Sequence, residues 1–148
     1  MKKYNFCDAE FMTAREKGLA LKAWLRFLKH GLRWIDFSDR LYKHLTLHCS
    51  FIAHYSRLGF YQTYFENGED TVRFLSQFDK RGESRSIEYG GTWWLGGDYE
   101  DLNRAMVEEG TVYIPLLIEK AQLRQRESDL ARASDLIAKH GLEISKDH

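Results

Sequence analysis

Residues 9–30 read AEFMTAREKGLALKAWLRFLKH. Leu21, Trp24, Leu25 and Leu28 fall at i, i+3, i+4 and i+7, the spacing that lays apolar side chains along one side of an α-helix. Gly31 follows as the expected stop. Working outward, Asp36 or Ser38 is a suitable N-cap for a second helix running to about Arg57, with Leu41, Leu45, His48, Ile52 and Tyr55 along one side and Gly59 as its terminator. The aromatic-rich segment 60–65 reads as a further helix. Gly68, Glu69 and Asp70 then precede Val72, Phe74, Leu75 and Phe78 in a short helix whose first turn carries acids, where the macrodipole favours them.

Towards the C-terminus, Asp98 is the expected N-cap, with Asp101 at N3, of a helix through Leu102, Ala105 and Met106 that Gly110 closes. Pro115 suits the first turn of the last helix, which is expected to reach His140 and stop at Gly141. Residues 79–97 break the pattern with Gly82, Gly90, Gly91, Gly96 and Gly97 around Thr92, Trp93, Trp94 and Leu95. Either a loop or a tiny β-hairpin turning at Gly90-Gly91 fits, because paired glycines accept the positive φ of a two-residue turn. The fold class expected is therefore all-α: a single domain over residues 1–148, built as a compact bundle of five or six helices with one Gly/Trp-rich excursion around 79–97.

Composition supports a folded domain, with 43% hydrophobic and 30% charged residues and a single proline among 148 residues. The two cysteines, Cys7 and Cys49, cannot form the dense disulfide framework of small secreted domains, and no secretory signal pattern precedes the first helix; a reducing cytoplasm is the expected compartment. Apolar runs such as 114–118 are far shorter than the ~20 residues needed to cross a bilayer, so no membrane span is expected.

Net charge is zero but unevenly distributed. Residues 1–57 hold eleven Lys/Arg against five Asp/Glu, residues 58–112 hold five against eleven, and residues 113–148 hold six of each. One reading is that the acidic middle packs beside the basic start and neutralises it. The other is a basic face for an acidic partner. Arg15, Lys22, Arg26 and Lys29 fall within about 60° of one another on the first helix, and Arg33 extends the group. Such a stripe neutralises phosphates well, although no base-reading motif accompanies it.

The patterns that would mark catalysis are weak. His44 and His48 lie four residues apart, a spacing that puts two imidazoles on neighbouring helical turns as in many metal sites, but two ligands do not make a site and His54 projects elsewhere. The spacing is more readily served by a packed His48 whose ring nitrogens find partners on a neighbouring helix. Neither a Glu-x-x-His pair nor H-E-x-x-H is present. Cys49 follows His48 directly, so the two side chains diverge by about 100° and do not form a nucleophile and base. The glycines around Trp93 and Trp94 lack the Gly-Lys-Ser/Thr of a phosphate loop, and paired tryptophans between glycines suit a contact loop or a lid on the core. In the last helix Leu116, Leu123, Leu130 and Ile137 recur every seven residues. The companion rows (Glu119, Arg126, Ala133 and Lys120, Glu127, Ser134) are not continuously apolar, which argues against a long zipper. Because segment 122–129 is so polar, the helix is expected to project and offer its leucines to a partner or a second copy.

The functional expectation is a non-catalytic binding or adaptor protein, with no cofactor, that contacts a partner protein or a nucleic-acid-containing complex through Arg15, Lys22, Arg26, Lys29 and Arg33, through Trp93 and Trp94, or both. The alternatives are a metal-dependent enzyme or sensor built on His44 and His48, and an oligomeric subunit, such as a homodimer, assembling through Leu116, Leu123, Leu130 and Ile137.

Overall fold

Thr13 opens the first helix with a capping box: its hydroxyl accepts from Glu16 N while Glu16 returns a carboxylate to Thr13 N. The computed structural model of the chain describes residues 4–80 and 97–146, with side chains up to Lys139. Helix α1 spans Ala14–Lys29 and ends in paired bonds of Schellman type, Leu32 N to Phe27 O (2.9 Å) and Gly31 N to Leu28 O (3.1 Å), with Gly31 at φ 79°. A single 3₁₀ turn, Trp34–Asp36, leads to α2 (Asp39–His48), capped by Ser38 as expected. Helices α3 (Arg57–Phe65), α4 (Gly68–Ser76), α5 (Glu100–Gly110) and α6 (Ile114–Lys146) complete six α-helices packed together, with no sheet among the described residues. The expected excursion falls mostly on residues 81–96, including Trp93 and Trp94, which lie outside the described residues.

Three boundaries depart from the sequence reading. Helix α2 stops at His48, because Ser50, His54 and Tyr55 all adopt left-handed φ and break the helix that Ile52 and Tyr55 had extended on paper. Gly59 terminates nothing; it lies in the first turn of α3, where a Cβ would run into His54 O, so the loop closes over α3 through this glycine. Helix α6 does not stop at Gly141, and its backbone stays helical to Lys146.

The core is aromatic. Trp24 is fully buried, with its ring centroid 4.6 Å from that of Phe78, and its Nε1 donates to Met106 O at 3.1 Å, which pins α1 to α5. Phe27, Phe37, Phe60, Phe65 and Phe74 fill the space between α1, the 3₁₀ turn, α3 and α4. Helix α4 meets the first half of α6 backbone to backbone, since a Cβ on Gly68 would sit 2.5 Å from Ala121 O. No helix among the described residues is long and apolar enough to cross a membrane.

Candidate functional site

One side of α2 along its length, the segment leading into α1, and Asp98 and Tyr99 just ahead of α5 border an open cavity of about 810 Å³. Both histidines singled out from sequence line it, in places the sequence did not assign. His44 is the fully buried one and His48 the half-exposed one, the reverse of the wheel reading, which put His48 amid the apolar stripe with His44 at its edge. Because α2 ends at His48, the last turn lies at the rim of the core; Leu41, His44 and Leu45 make the buried side. His48 stacks on Tyr99 (ring centroids 3.7 Å apart, 20° between planes).

His44 Nε2 lies 2.7 Å from Asn103 Oδ1 on α5, and Cys49 Sγ donates to the same oxygen at 3.5 Å. An amide oxygen only accepts, so His44 carries its proton on Nε2 and leaves Nδ1 as a bare acceptor. Burial holds the imidazole down to about 4, against a smaller upward effect of the Asn103 bond, so it is neutral across the physiological range. Burial also lowers His48 and raises the Cys49 thiol. His44 Nδ1 and Tyr99 Oη are both buried without a hydrogen-bond partner. The two imidazole centroids are 5.6 Å apart, but no group of three His, Cys, Asp or Glu among the described residues is placed to hold a metal ion.

Behind Tyr99 lies a residue that the sequence reading passed over. Lys17 on α1 is completely buried; its Nζ donates to Asp98 O (2.6 Å) and to Asp101 Oδ1 (2.8 Å) and lies 5.5 Å from the Tyr99 ring centroid. Asp101 also accepts from Cys7 N and Leu102 N; its partial burial pushes the carboxyl up, but the Lys17 ammonium first and these two backbone donors after it outweigh that and keep it below the ordinary range. Asp98 is therefore not the N-cap; Tyr99 holds that place without a side-chain bond. A signal for Lys17 was present, since it precedes Leu21, Trp24 and Leu28 by four, seven and eleven residues and so shares their stripe.

Elsewhere on the surface, Arg15, Lys22, Arg26 and Lys29 are exposed on α1 and make no ion pair among the described residues. Arg33 is engaged with Asp36 and His30. Of the expected neutralisation by the acidic middle, Lys17–Asp101 is the one ion pair among the described residues that joins the two segments, while Arg73 and Arg104 pair with acids on their own helices. Comparison with protein-family models, curated proteins and solved structures gives no match.

The first half of α6 is anchored, with Leu117 and Ala121 buried and Arg124 donating to Phe65 O and Thr71 Oγ1. From residue 126 to 139 every side chain is exposed, about 21 Å of helix at 1.5 Å per residue. Leu116, Leu123, Leu130 and Ile137 stand 51% to 71% exposed along one side, and Leu136 lies beside the row at 50%.

Proposed function

We propose that the chain is a non-catalytic interaction protein that docks a helical protein surface against the free part of α6. The observation that carries this reading is the row Leu123, Leu130 and Ile137, each more than half exposed, which runs from the anchored part of the helix into a stretch, residues 126–139, where every side chain is exposed. An apolar stripe on a helix is stable when something buries it, and this one is left for another chain to cover. The mixed charges flanking it, among them Arg126, Glu127, Asp129, Arg132 and Asp135, supply the polar rim that protein interfaces carry around an apolar centre. The free thiols Cys7 and Cys49 suit a reducing compartment such as the cytoplasm.

The test compares wild type with Leu130→Lys/Ile137→Lys. Light scattering on a sizing column reads self-association, and tagged capture from the native host's lysate reads a defined heterologous partner. Wild type that doubles its mass or captures a defined protein, with a variant that does neither, supports the reading. A wild-type monomer whose captured proteins are the same as the variant's would refute it.

A second reading rests on the four cations of α1 that make no ion pair among the described residues: a contact with a nucleic-acid-containing complex. Capture that disappears with nuclease, weakens in Arg26→Glu/Lys29→Glu and loses its steep salt dependence there would favour it over a protein partner.

A further inference from the structure

The open cavity beside α2 is a groove with two walls. Helix α2 lines one of them from Asp39 to His48, about 13.5 Å at 1.5 Å per residue. The other carries Glu10, Phe11 and Met12, from a turn that Ala9 and Met12 close with reciprocal backbone bonds of 2.8 and 3.3 Å. The Tyr99–His48 stack stands at one end, and the Arg40–Glu16 pair spans the walls towards the other. Two large apolar side chains of the lining face solvent, Phe11 at 73% exposure and Leu47 at 70%. Two of its carboxylates, Glu10 and Asp98, are exposed and make no hydrogen bond or ion pair among the described residues. We propose that this groove docks an extended basic segment of a partner protein, about four residues long, whose apolar side chain packs on Phe11 and Leu47 and whose Lys or Arg side chains pair with Glu10 and Asp98.

The sign of the partner's charge follows from what the groove leaves unpaired. Its two cations already hold carboxylates of the same lining, Lys43 with Asp39 at 3.0 Å and Arg40 with Glu16 at 3.9 Å. The buried Lys17 behind Tyr99 is neutralised by Asp101 at 2.8 Å. Glu10 and Asp98 are the surplus, so an acidic partner meets repulsion and a basic one attraction. The length follows from the α2 wall, which matches about four residues of extended chain at ~3.3 Å each. A small molecule seated against the buried Met12 leaves Phe11 and Leu47 in water, whereas a chain lying along the groove covers both. Large apolar anchors within a charged rim are the composition of protein-binding surfaces, and the closed turn holds Phe11 in place before the partner arrives. The groove shares no residue with the exposed row of α6, so the two surfaces are open to separate partners.

The probe is a phage-displayed library of random heptapeptides selected on the full chain, with the enriched sequences then synthesised and their affinities read by fluorescence anisotropy. The expected result is an excess of Lys and Arg beside one large apolar residue in the enriched peptides. These should bind roughly ten-fold more weakly to Glu10→Lys/Asp98→Lys and to Phe11→Ser/Leu47→Ser, and as tightly as wild type to Leu130→Lys/Ile137→Lys. All four groove side chains are exposed, so both groove variants should melt with wild type. Enriched peptides without a basic excess, binding that survives both groove variants, or no enrichment over a blank surface would overturn the proposal. So would peptides lost only in Leu130→Lys/Ile137→Lys, which belong to α6, or self-association that Glu10→Lys/Asp98→Lys abolishes while no peptide is enriched, which gives the groove to a second copy.

Discussion

Asp101→Ala should destabilise the chain far more than Lys17→Met, although each removes one half of the same ion pair. The Lys17 ammonium has no exposure, and its neighbours are Asp101 Oδ1 at 2.8 Å, Asp98 O at 2.6 Å and the Tyr99 ring. Removing the carboxylate leaves a buried charge with one carbonyl and a ring face, a situation that costs about 3–5 kcal/mol. Asp101 is itself 31% exposed, so water enters as the carboxylate leaves and the cost falls near the lower end, ~3 kcal/mol. Removing the ammonium instead leaves Asp101 partly solvated and still bonded to Cys7 N and Leu102 N, while methionine refills most of the apolar volume. That change should cost roughly 0–2 kcal/mol. Urea unfolding at pH 7 reads both, and Asp101→Ala should lower Tm by about 6–12 °C at 2–4 °C per kcal/mol. Lys17→Met/Asp101→Ala should be more stable than Asp101→Ala alone, because the second change removes the orphan charge. The reasoning fails if Asp101→Ala lies within 1 kcal/mol of wild type, or if the double variant shows the sum of the single costs.

Three further outcomes follow from the same structure. Gly68→Ala places a Cβ 2.5 Å from Ala121 O and 2.9 Å from Gln125 Cβ, so α4 and α6 must separate; denaturant unfolding should show a loss of about 1–3 kcal/mol. His44 is held at about 4 when folded against 6.5 when unfolded, so the unfolded chain takes up the proton first. Its contribution should be constant above the unfolded value, fall by up to about 3 kcal/mol as pH drops between the two, and level off below; His44→Phe should remove that slope from a pH series of unfolding curves. Leu130→Lys/Ile137→Lys touches only exposed positions and should leave monomer stability within about 0.5 kcal/mol by thermal unfolding while abolishing association.

The parts of the fold legible in the sequence were those where local chemistry and packing agree. Helix α1 announces itself by its stripe and by Gly31, and Ser38 marks the start of α2. The end of α2 was hidden because Ile52 and Tyr55 continue the apolar period yet are exposed, so the pattern there serves no core. Gly141 misled in the opposite direction: glycine permits a C-cap without requiring one, and the backbone runs on as helix to Lys146. At the site, the His44/His48 spacing did locate the cavity. Lys17 and Asn103 were missed because they are polar residues on apolar stripes, a placement that makes sense only once Asp101 and His44 arrive from other helices.

The free half of α6 raises the question of why it is helical without a core to lie on. Nucleation is the costly step in helix formation, and here the packed first half, locked to α4 at Gly68 and by Arg124, supplies it. Beyond that point each added residue needs only adequate propensity, which Leu130, Ala131, Arg132, Ala133, Leu136, Ala138 and Lys139 provide. The Gln125–Asp129 bond at 3.1 Å carries the ladder across the point where packing ends. The consequence is functional. A partner that meets Leu123, Leu130 and Ile137 finds them already arrayed on one side of a formed helix, so binding does not carry the ordering cost of a segment that folds on contact. Two substitutions that break the helix without touching those side chains, Ala131→Gly/Ala138→Gly, should therefore weaken association through lost preorganisation alone, and an association constant equal to wild type would show that the row folds on its partner instead.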